Sequence, residues 1–276
     1  MGVIRGHLFK MKTASGDPVQ YQLRLDELLV PMNGYLGREV SLRHTGDIHC
    51  VGCGRALKKT YQQGYCFPCT QSLAECDLCI VRPELCHFHK GTCRQPDWGE
   101  THCMRPHVVY LANSSGLKVG ITRHTQVPTR WIDQGAIQAT PLLRVRTRFQ
   151  AGLCEVMVKN HAADKTNWRQ MLKGEVDLID LKGARSRILA ACGDGLKRLR
   201  ERFGADAIEV VPEEDPYKFQ YPVLEYPVKI TSLNLDKTPE ITGTLVGIKG
   251  QYLIFDRGVI NIRKYQGYQV DWLAPA

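Results

Sequence analysis

The chain has 276 residues, a length that suits about two domains with real hydrophobic cores. No window contains the roughly 18 consecutive apolar residues that a membrane span needs, and no secretory leader is visible, so we expect a cytoplasmic protein with no membrane partner. Its 37 lysines and arginines against 28 acidic residues give a net charge of +9, which favours a polyanionic partner such as nucleic acid. Nothing in the sequence indicates an oligomeric state.

Short β segments are predicted at the N terminus. Residues 4–11 and 19–25 have the composition of strands, and the turn-forming residues 13–18 lie between them. Polar and apolar residues alternate in the second segment, as on a half-buried strand. We therefore assign residues 1–48 to an N-terminal β unit without candidate chemistry.

Cysteines dominate residues 49–106, which we assign to a zinc-binding region. Nine of the eleven cysteines lie in this segment. Without an export signal, such a density indicates metal binding rather than disulfides. Two Cys-x-x-Cys pairs with 12 residues between them can surround one Zn²⁺ ion in a closed tetrahedral site of the structural type. The predicted ligands are Cys50, Cys53, Cys66 and Cys69.

A third Cys-x-x-Cys pair follows, and it predicts a second metal site. The simplest way to complete its set of four ligands is to add a cysteine and a histidine three positions apart, which repeats the spacing of the Cys-x-x-Cys pairs. The competing completion takes two later cysteines, the second of which lies just before the next predicted strand. The alternative to metal binding is that these cysteines pack as ordinary small core residues. The predicted ligands are Cys76, Cys79, Cys86 and His89, with Cys93 and Cys103 as alternatives.

The segment at 107–182 combines a hairpin, two helices and a third strand. Apolar runs on both sides of four turn-forming residues, 113–116, predict the hairpin. Pro128 and Gly135 suit the two ends of the first helix, and the second helix is expected from about residue 150. Residues 142–149 have the pattern of a strand with three arginines on one face, which would suit phosphates. With one residue of a later basic helix, the predicted nucleic-acid ligands are Arg144, Arg146, Arg148 and Arg198.

The remainder of the chain divides into two parts. Residues 183–212 form a basic helical segment, and the acidic, proline-containing stretch 213–216 follows as a break. Residues 223–276 contain four short strands separated by turns, which predict a small β domain. This domain could pair with the N-terminal β unit.

The order of residues in the 107–182 segment resembles the GIY-YIG endonuclease superfamily. A strand with a tyrosine, a strand reading Lys-Val-Gly-Ile-Thr, a helical arginine, a helical glutamate and a late asparagine follow one another. With the cysteine-rich block before it, the chain is similar to an uncharacterised bacterial family of that superfamily. The resemblance implies a three-stranded sheet with flanking helices, so the predicted class is α+β, with a zinc-knuckle region before this sheet and small β units at both termini. The matching positions are Tyr110, Lys118, Gly120, Arg130, Glu155 and Asn167.

The resemblance also implies hydrolysis of a phosphodiester in DNA or RNA with one divalent metal. Glu155 would hold Mg²⁺ or Mn²⁺, and Arg130 would neutralise the nonbridging phosphate oxygens. Tyr110 would orient or deprotonate the attacking water. Lys118 stands where many members have a second tyrosine, and it could supply the cation that a tyrosine base needs at neutral pH.

Two other functions are compatible with the same sequence. One is a non-catalytic nucleic-acid-binding module, which keeps the fold and needs only a continuous basic surface. The other is a thiol- or metal-handling protein, in which the nuclease-like core is a scaffold. The second alternative would need a coordinating group with an open or labile position.

Overall fold

Two antiparallel sheets make up the framework of the protein, and seven α-helices are assigned within the described residues. The structure is a computed structural model that describes residues 2–162 and 165–275. Helices and antiparallel strands occur in one chain, which confirms the predicted α+β class. Within the described ranges, no helix is long and apolar enough to cross a bilayer.

The α-helices of the described chain lie between residues 67 and 203, with strands before, among and after them. The strands are β1 (Gly2–Ala14), β2 (Gln20–Leu25), β3 (Leu28–Pro31), β4 (Glu39–Ile48), β5 (His107–Asn113), β6 (Leu117–Arg123), β7 (Gln138–Val145), β8 (Ile208–Val210), β9 (Tyr217–Lys218), β10 (Glu240–Lys249), β11 (Tyr252–Phe255), β12 (Gly258–Asn261) and β13 (Tyr268–Ala274). The helices are α1 (Phe67–Ser72), α2 (Pro96–His102), α3 (Thr129–Asp133), α4 (Arg148–Val158), α5 (Trp168–Lys173), α6 (Leu181–Ala191) and α7 (Gly193–Phe203).

The larger sheet draws its eight strands from both ends of the chain. Their spatial order is β12-β11-β10-β4-β13-β1-β2-β3. The C-terminal strand β13 lies between the N-terminal strands β4 and β1, and it pairs antiparallel with both. The two terminal β segments of the sequence therefore form a single sheet, because their strands alternate at its centre.

A buried carboxylate joins the three central strands of the larger sheet. The side chain of Asp271 on β13 accepts hydrogen bonds from Arg5 on β1 (2.6 and 3.0 Å) and from Arg43 on β4 (2.7 Å). These bonds, that from Arg5 above all, outweigh the effect of burial and lower the pKa of Asp271 to about 2. A carboxyl with a lowered pKa stabilises the folded state only while it is ionised.

The smaller sheet has the order β6-β5-β7-β8, and β9 pairs with another part of β7. Its central strand β5 is buried along all seven residues. One face of the sheet packs against α4, α6 and α7, and the other packs against Trp131 of α3. The predicted hairpin is confirmed, since β5 and β6 pair in continuous register with Tyr110 opposite Gly120.

Helix α3 connects the two sheets although it has only five residues. Trp131 belongs to the core of the smaller sheet, and the next residue, Ile132, belongs to the core of the larger one. Asp133 at the end of the helix accepts a hydrogen bond from Gln251 (2.9 Å) and pairs with Lys10 of β1. Contacts with both sheets therefore determine where this helix lies.

The third strand of the smaller sheet is shorter than the sequence predicted. The prediction covered residues 142–149, but β7 ends at Val145 and α4 begins at Arg148. The reason is a capping box, in which the side chain of Thr147 accepts from the backbone of Gln150 and the side chain of Gln150 accepts from the backbone of Thr147. The three arginines therefore do not form a ribbon on one sheet face.

Replacing Asp271 with asparagine should lower the free energy of unfolding by roughly 1–3 kcal/mol, because charged hydrogen bonds to two half-exposed arginines are lost. The folded-state pKa lies below the ordinary value of about 4, so the stabilisation is complete above about pH 4 and is lost as the pH falls toward 2. Chemical denaturation across this range should show a steeper loss for the wild type than for Asp271→Asn. The exposed Asp256→Asn change is the control, and an equal effect there would contradict the assignment.

Candidate functional site

A cleft of about 510 Å³ opens beside the β5–β6 hairpin, with α3 and α4 on its sides. Of the six residues predicted to be catalytic, five line this cleft, although they come from four different elements: Tyr110, Lys118, Gly120, Arg130 and Glu155.

The sixth, Asn167, is exposed and is not part of the lining. Its side chain instead caps α5 by accepting from the backbone of Gln170, and its N–H donates to Ser115. Asn167 therefore has a structural role at a helix start.

The cleft is strongly positive. Two acidic side chains, Asp133 and Glu155, belong to its lining among the described residues, against eight basic ones: Lys10, Lys118, Arg123, Arg130, Arg148, Lys159, Lys165 and Arg263. A concave surface with this excess of positive charge concentrates the field and attracts polyanions. The charge therefore lies where the predicted catalytic residues lie.

Tyr110 reaches the cleft from the fully buried strand β5. Its hydroxyl donates a hydrogen bond to Oε1 of Gln134 (3.0 Å), and it also contacts Arg130. Burial raises the pKa of Tyr110, and the opposing effect of Arg130 only partly offsets it. The tyrosine is thus a neutral phenol at physiological pH, able to donate a hydrogen bond but poorly suited to act as a base.

Gly120 is required by the position of this tyrosine. A Cβ atom at Gly120 would lie 2.6 Å from the hydroxyl oxygen of Tyr110 and 2.7 Å from the ring carbon that bears it. The ring of Tyr110 therefore crosses the neighbouring strand at the one residue that has no side chain. This contact explains in physical terms why a glycine faces a tyrosine here.

Lys118 and Glu155 occupy other sides of the cleft. The buried ammonium group of Lys118 donates to the hydroxyl of Thr166 (2.9 Å). Glu155 lies on α4, close enough to Tyr110 to act on its pKa. The sequence had suggested Lys118 as the cation beside the tyrosine hydroxyl. In the structure, Arg130 contacts that hydroxyl.

The larger sheet contributes residues to the cleft that sequence reasoning missed. Lys10 comes from β1 and Arg263 from the turn before β13, at opposite ends of the chain. No local pattern relates these two residues to the hairpin. Gln134 could have been found, since it caps the end of α3 four residues after Arg130, a spacing that brings two side chains to the same side of a helix.

The predicted nucleic-acid ligands are separated by the fold. Arg148 lines the cleft, and its guanidinium donates to the carbonyl oxygens of Ile80 (2.6 Å) and Cys79 (3.4 Å). Arg144 and Arg146 lie at a different depression, where Asp206 pairs with Arg146. Arg198 is exposed on α7. Arg148 is thus the one of these four arginines that lies in the cleft with the predicted catalytic residues.

The first cysteine cluster has the geometry of a metal site. The sulfur atoms of Cys50, Cys53, Cys66 and Cys69 all lie within 4.8 Å of one another. The Cys53–Cys66 separation is 3.8 Å, close to the spacing of about 3.8 Å that two sulfurs have on a tetrahedral zinc with bonds of about 2.3 Å. Burial alone would raise the pKa of Cys50, but backbone N–H groups, that of Cys66 foremost, lower it to about 6. The cluster can therefore hold a metal such as zinc.

The later cysteines assemble differently from the simplest predicted set. Cys76 is buried close to Cys50 and Cys66 of the first cluster, and the ring of the exposed His89 packs on Phe149 at 4.8 Å. The predicted ligands Cys76 and His89 therefore do not join Cys79 and Cys86, because the short turns between residues 74 and 90 direct their side chains to other parts of the protein. The thiols that come together are Cys79, Cys86 and Cys103.

The fold and the site together define a cysteine-rich α+β protein with a strongly basic cleft. The sequence profile described as Protein of unknown function (DUF2797) matches residues 37–270, and the chain belongs to that family. No curated protein and no solved structure matches the chain.

Gly120→Ala should lower the free energy of unfolding by about 1–3 kcal/mol, because a methyl group cannot be accommodated beside the buried ring of Tyr110. Thermal or chemical denaturation measures the effect. Gly193→Ala is the matched control, since nothing lies within 4 Å of the added carbon and its backbone is helical. Equal stability of the Gly120→Ala variant and the wild type would contradict the close approach of the Tyr110 ring to the backbone of Gly120.

Protein purified without chelators should contain zinc, and Cys53→Ser should lower the zinc content by one ion per chain. The reason is that a serine hydroxyl is a much weaker zinc ligand than a thiolate. Elemental analysis of the intact protein gives the count. Cys154→Ser, at a buried cysteine of the smaller sheet's core, is the control and should retain the full amount. Zinc-free wild-type protein would contradict the assignment.

Proposed function

We propose that this protein is a zinc-containing nucleic-acid phosphodiesterase, an endonuclease of the GIY-YIG type that uses Mg²⁺ or Mn²⁺. The observation that supports the proposal is the convergence of Tyr110, Arg130 and Glu155 in one basic cleft. These residues lie on a strand and on two successive helices, and their proximity was expected only from the resemblance. The zinc of the first cysteine cluster has a structural role, since four thiolates leave no open position.

Arg130 is the group that would meet the phosphate. It is half-buried in the wall of the cleft, and its helix is fixed by both sheets. A preorganised guanidinium can neutralise the charge that grows on the nonbridging oxygens as water attacks phosphorus and the bond to the leaving sugar oxygen breaks. Arg148 and Arg263 extend the positive surface and can position the flanking phosphates.

Glu155 is the carboxylate with which the cleft can bind a divalent cation. Mg²⁺ is commonly held by one or two carboxylates together with phosphate oxygens of the substrate, so the donor set fits this ion. When bound, the metal would polarise the phosphate and stabilise the leaving oxygen.

Tyr110 orients the attacking water in this proposal and does not deprotonate it. Its raised pKa keeps the phenol neutral, and its hydroxyl is already fixed by Gln134 and Arg130. A neutral hydroxyl at a fixed position can hold a water molecule by a hydrogen bond. The proton that the water loses passes to the solvent or to the phosphate.

A second candidate function is nucleic-acid binding without catalysis. The observation that favours it is the complete burial of Tyr110, whose side chain leaves little room for a water molecule on its protein side. Binding by the cleft would be salt-sensitive, and Arg130→Ala should reduce the slope of log K against log salt by about one unit. A metal-handling protein is less well supported, because it would need a labile coordination position.

Incubation with Mg²⁺ or Mn²⁺ should cleave at least one substrate from a panel of single-stranded, duplex and branched DNA and RNA. Glu155→Gln and Arg130→Ala should each reduce the cleavage rate by about 10²-fold or more, because charge stabilisation at the phosphate is lost. Lys237→Ala is the matched control, since this exposed basic side chain lies outside the cleft lining.

Three outcomes of this assay are distinguishable. Cleavage by the wild type and by Lys237→Ala, but not by the two cleft variants, supports the proposal. Equal cleavage by all four proteins identifies a contaminating nuclease and contradicts it. Salt-sensitive binding without any cleavage favours the second candidate function.

A further inference from the structure

Three cysteine side chains meet beside the cleft, away from the four of the first cluster. Cys79, Cys86 and Cys103 are buried and pack together under Trp98 and Phe149. The thiol of Cys86 lies in the middle and interacts directly with the thiols of both other cysteines. Two buried thiols that each contact a third, with no disulfide among them, are an arrangement that a metal ion can draw into a common coordination shell.

A fourth cysteine completes the group. Cys93 lines the same small cavity as the other three, and it is near enough to Cys103 to act on that thiol electrostatically. The cavity has a volume of about 10 Å³. This is roughly the minimum space for one water molecule, and it is sufficient for a bare metal ion among its ligands.

Two other groups near this cavity are engaged elsewhere. Asp77, Cys79 and His87 offer ligand atoms within 4.8 Å of one another. The carboxylate of Asp77, however, accepts hydrogen bonds from the N–H of Cys79 (3.1 Å) and from Arg94 (2.7 Å). His87 lies between Thr92 (2.8 Å) and Asp77 (3.5 Å). The Cys93 thiol makes one weak hydrogen bond, to the carbonyl oxygen of Gln95 (3.5 Å), which a metal ion can replace more easily than the stronger contacts of Asp77 and His87. Cys93 is therefore favoured over the histidine as the fourth ligand.

The backbone of this group supports helix α4. The N–H of Arg148, the first residue of α4, donates to the carbonyl oxygen of Cys103 (2.8 Å), and its guanidinium donates to that of Cys79 (3.4 Å). One turn further along, Gly152 packs so closely on the turn at residues 83–84 that a Cβ atom would overlap the backbone of Glu84. The helix that carries Glu155 therefore rests on the residues between the first and the last of these cysteines.

We propose that Cys79, Cys86, Cys93 and Cys103 form a second metal centre of the zinc tetrathiolate type, and that this centre positions α4 and its Glu155 at the cleft. The chemistry it requires is that of a soft, tetrahedral divalent ion such as Zn²⁺. Metal binding at this centre does not depend on the proposed enzymatic function.

Native mass spectrometry of the intact wild-type chain tests the stoichiometry, and two zinc ions are expected. Cys93→Ser should reduce the count from two to one, and so should Cys53→Ser at the first cluster. His87→Ala, His89→Ala and Cys76→Ser are the controls and should retain two ions. Cobalt substitution of the wild type should give thiolate charge-transfer bands for two sites, a readout that needs no variant to fold.

Hydrogen exchange tests whether the second metal centre positions α4. Exchange at the amides of α4 should be faster by about tenfold or more in Cys93→Ser than in Cys53→Ser, because only the former loses the centre on which α4 rests. A single ion in the wild type, loss of an ion in His87→Ala with retention in Cys93→Ser, or equal protection of α4 in both cysteine variants would overturn the proposal.

Discussion

The constraint on which the site depends is that β5 is covered on both faces. A strand with all seven residues buried cannot deliver a polar side chain to solvent directly. Tyr110 reaches the cleft because its ring crosses β6 at Gly120, where there is no side chain to prevent it. The hydroxyl therefore arrives at a fixed position, already bonded to Gln134, and the low exposure that raises its pKa is a consequence of the same packing.

The opposite wall of the cleft depends on the two ends of the chain. Helix α3 has five residues, which is too few for stability on its own. It is held because Trp131 is buried in one core and Ile132 in the other, and because Asp133 is bonded to side chains of the larger sheet. Arg130 thus has a defined position only after the N-terminal and C-terminal strands have paired. The larger sheet is a part of the site and also supplies Lys10 and Arg263 to it.

Sequence patterns predicted the features that depend on neighbouring residues. The β5–β6 hairpin followed from turn formers between apolar runs, and the first cysteine cluster followed from the repeated spacing of its pairs. The predicted strand over residues 142–149, with three arginines on one face, was wrong. The capping box at Thr147 starts helix α4 there and overrides the alternating pattern of the sequence. The sequence named all four cysteines of the second group as candidates but left the choice among them open, because that choice depends on contacts between distant segments, here residues 79–86 with residue 103. The cleft residues Lys10 and Arg263 could not be predicted for the same reason. The six proposed catalytic positions came from a resemblance, and the fold brings five of them together.

The proposed catalytic role of the cleft is tested most directly by a crystal structure of the protein with Mn²⁺ and a short oligonucleotide whose phosphates are replaced by phosphorothioates. Anomalous scattering locates both the manganese and the modified phosphates without reference to any assumed pose. We predict one manganese ion at the carboxylate of Glu155, with a phosphate between it and Arg130 and the hydroxyl of Tyr110 facing the phosphorus. An oligonucleotide bound outside the cleft, or manganese away from Glu155 while the cleft is occupied, would contradict it.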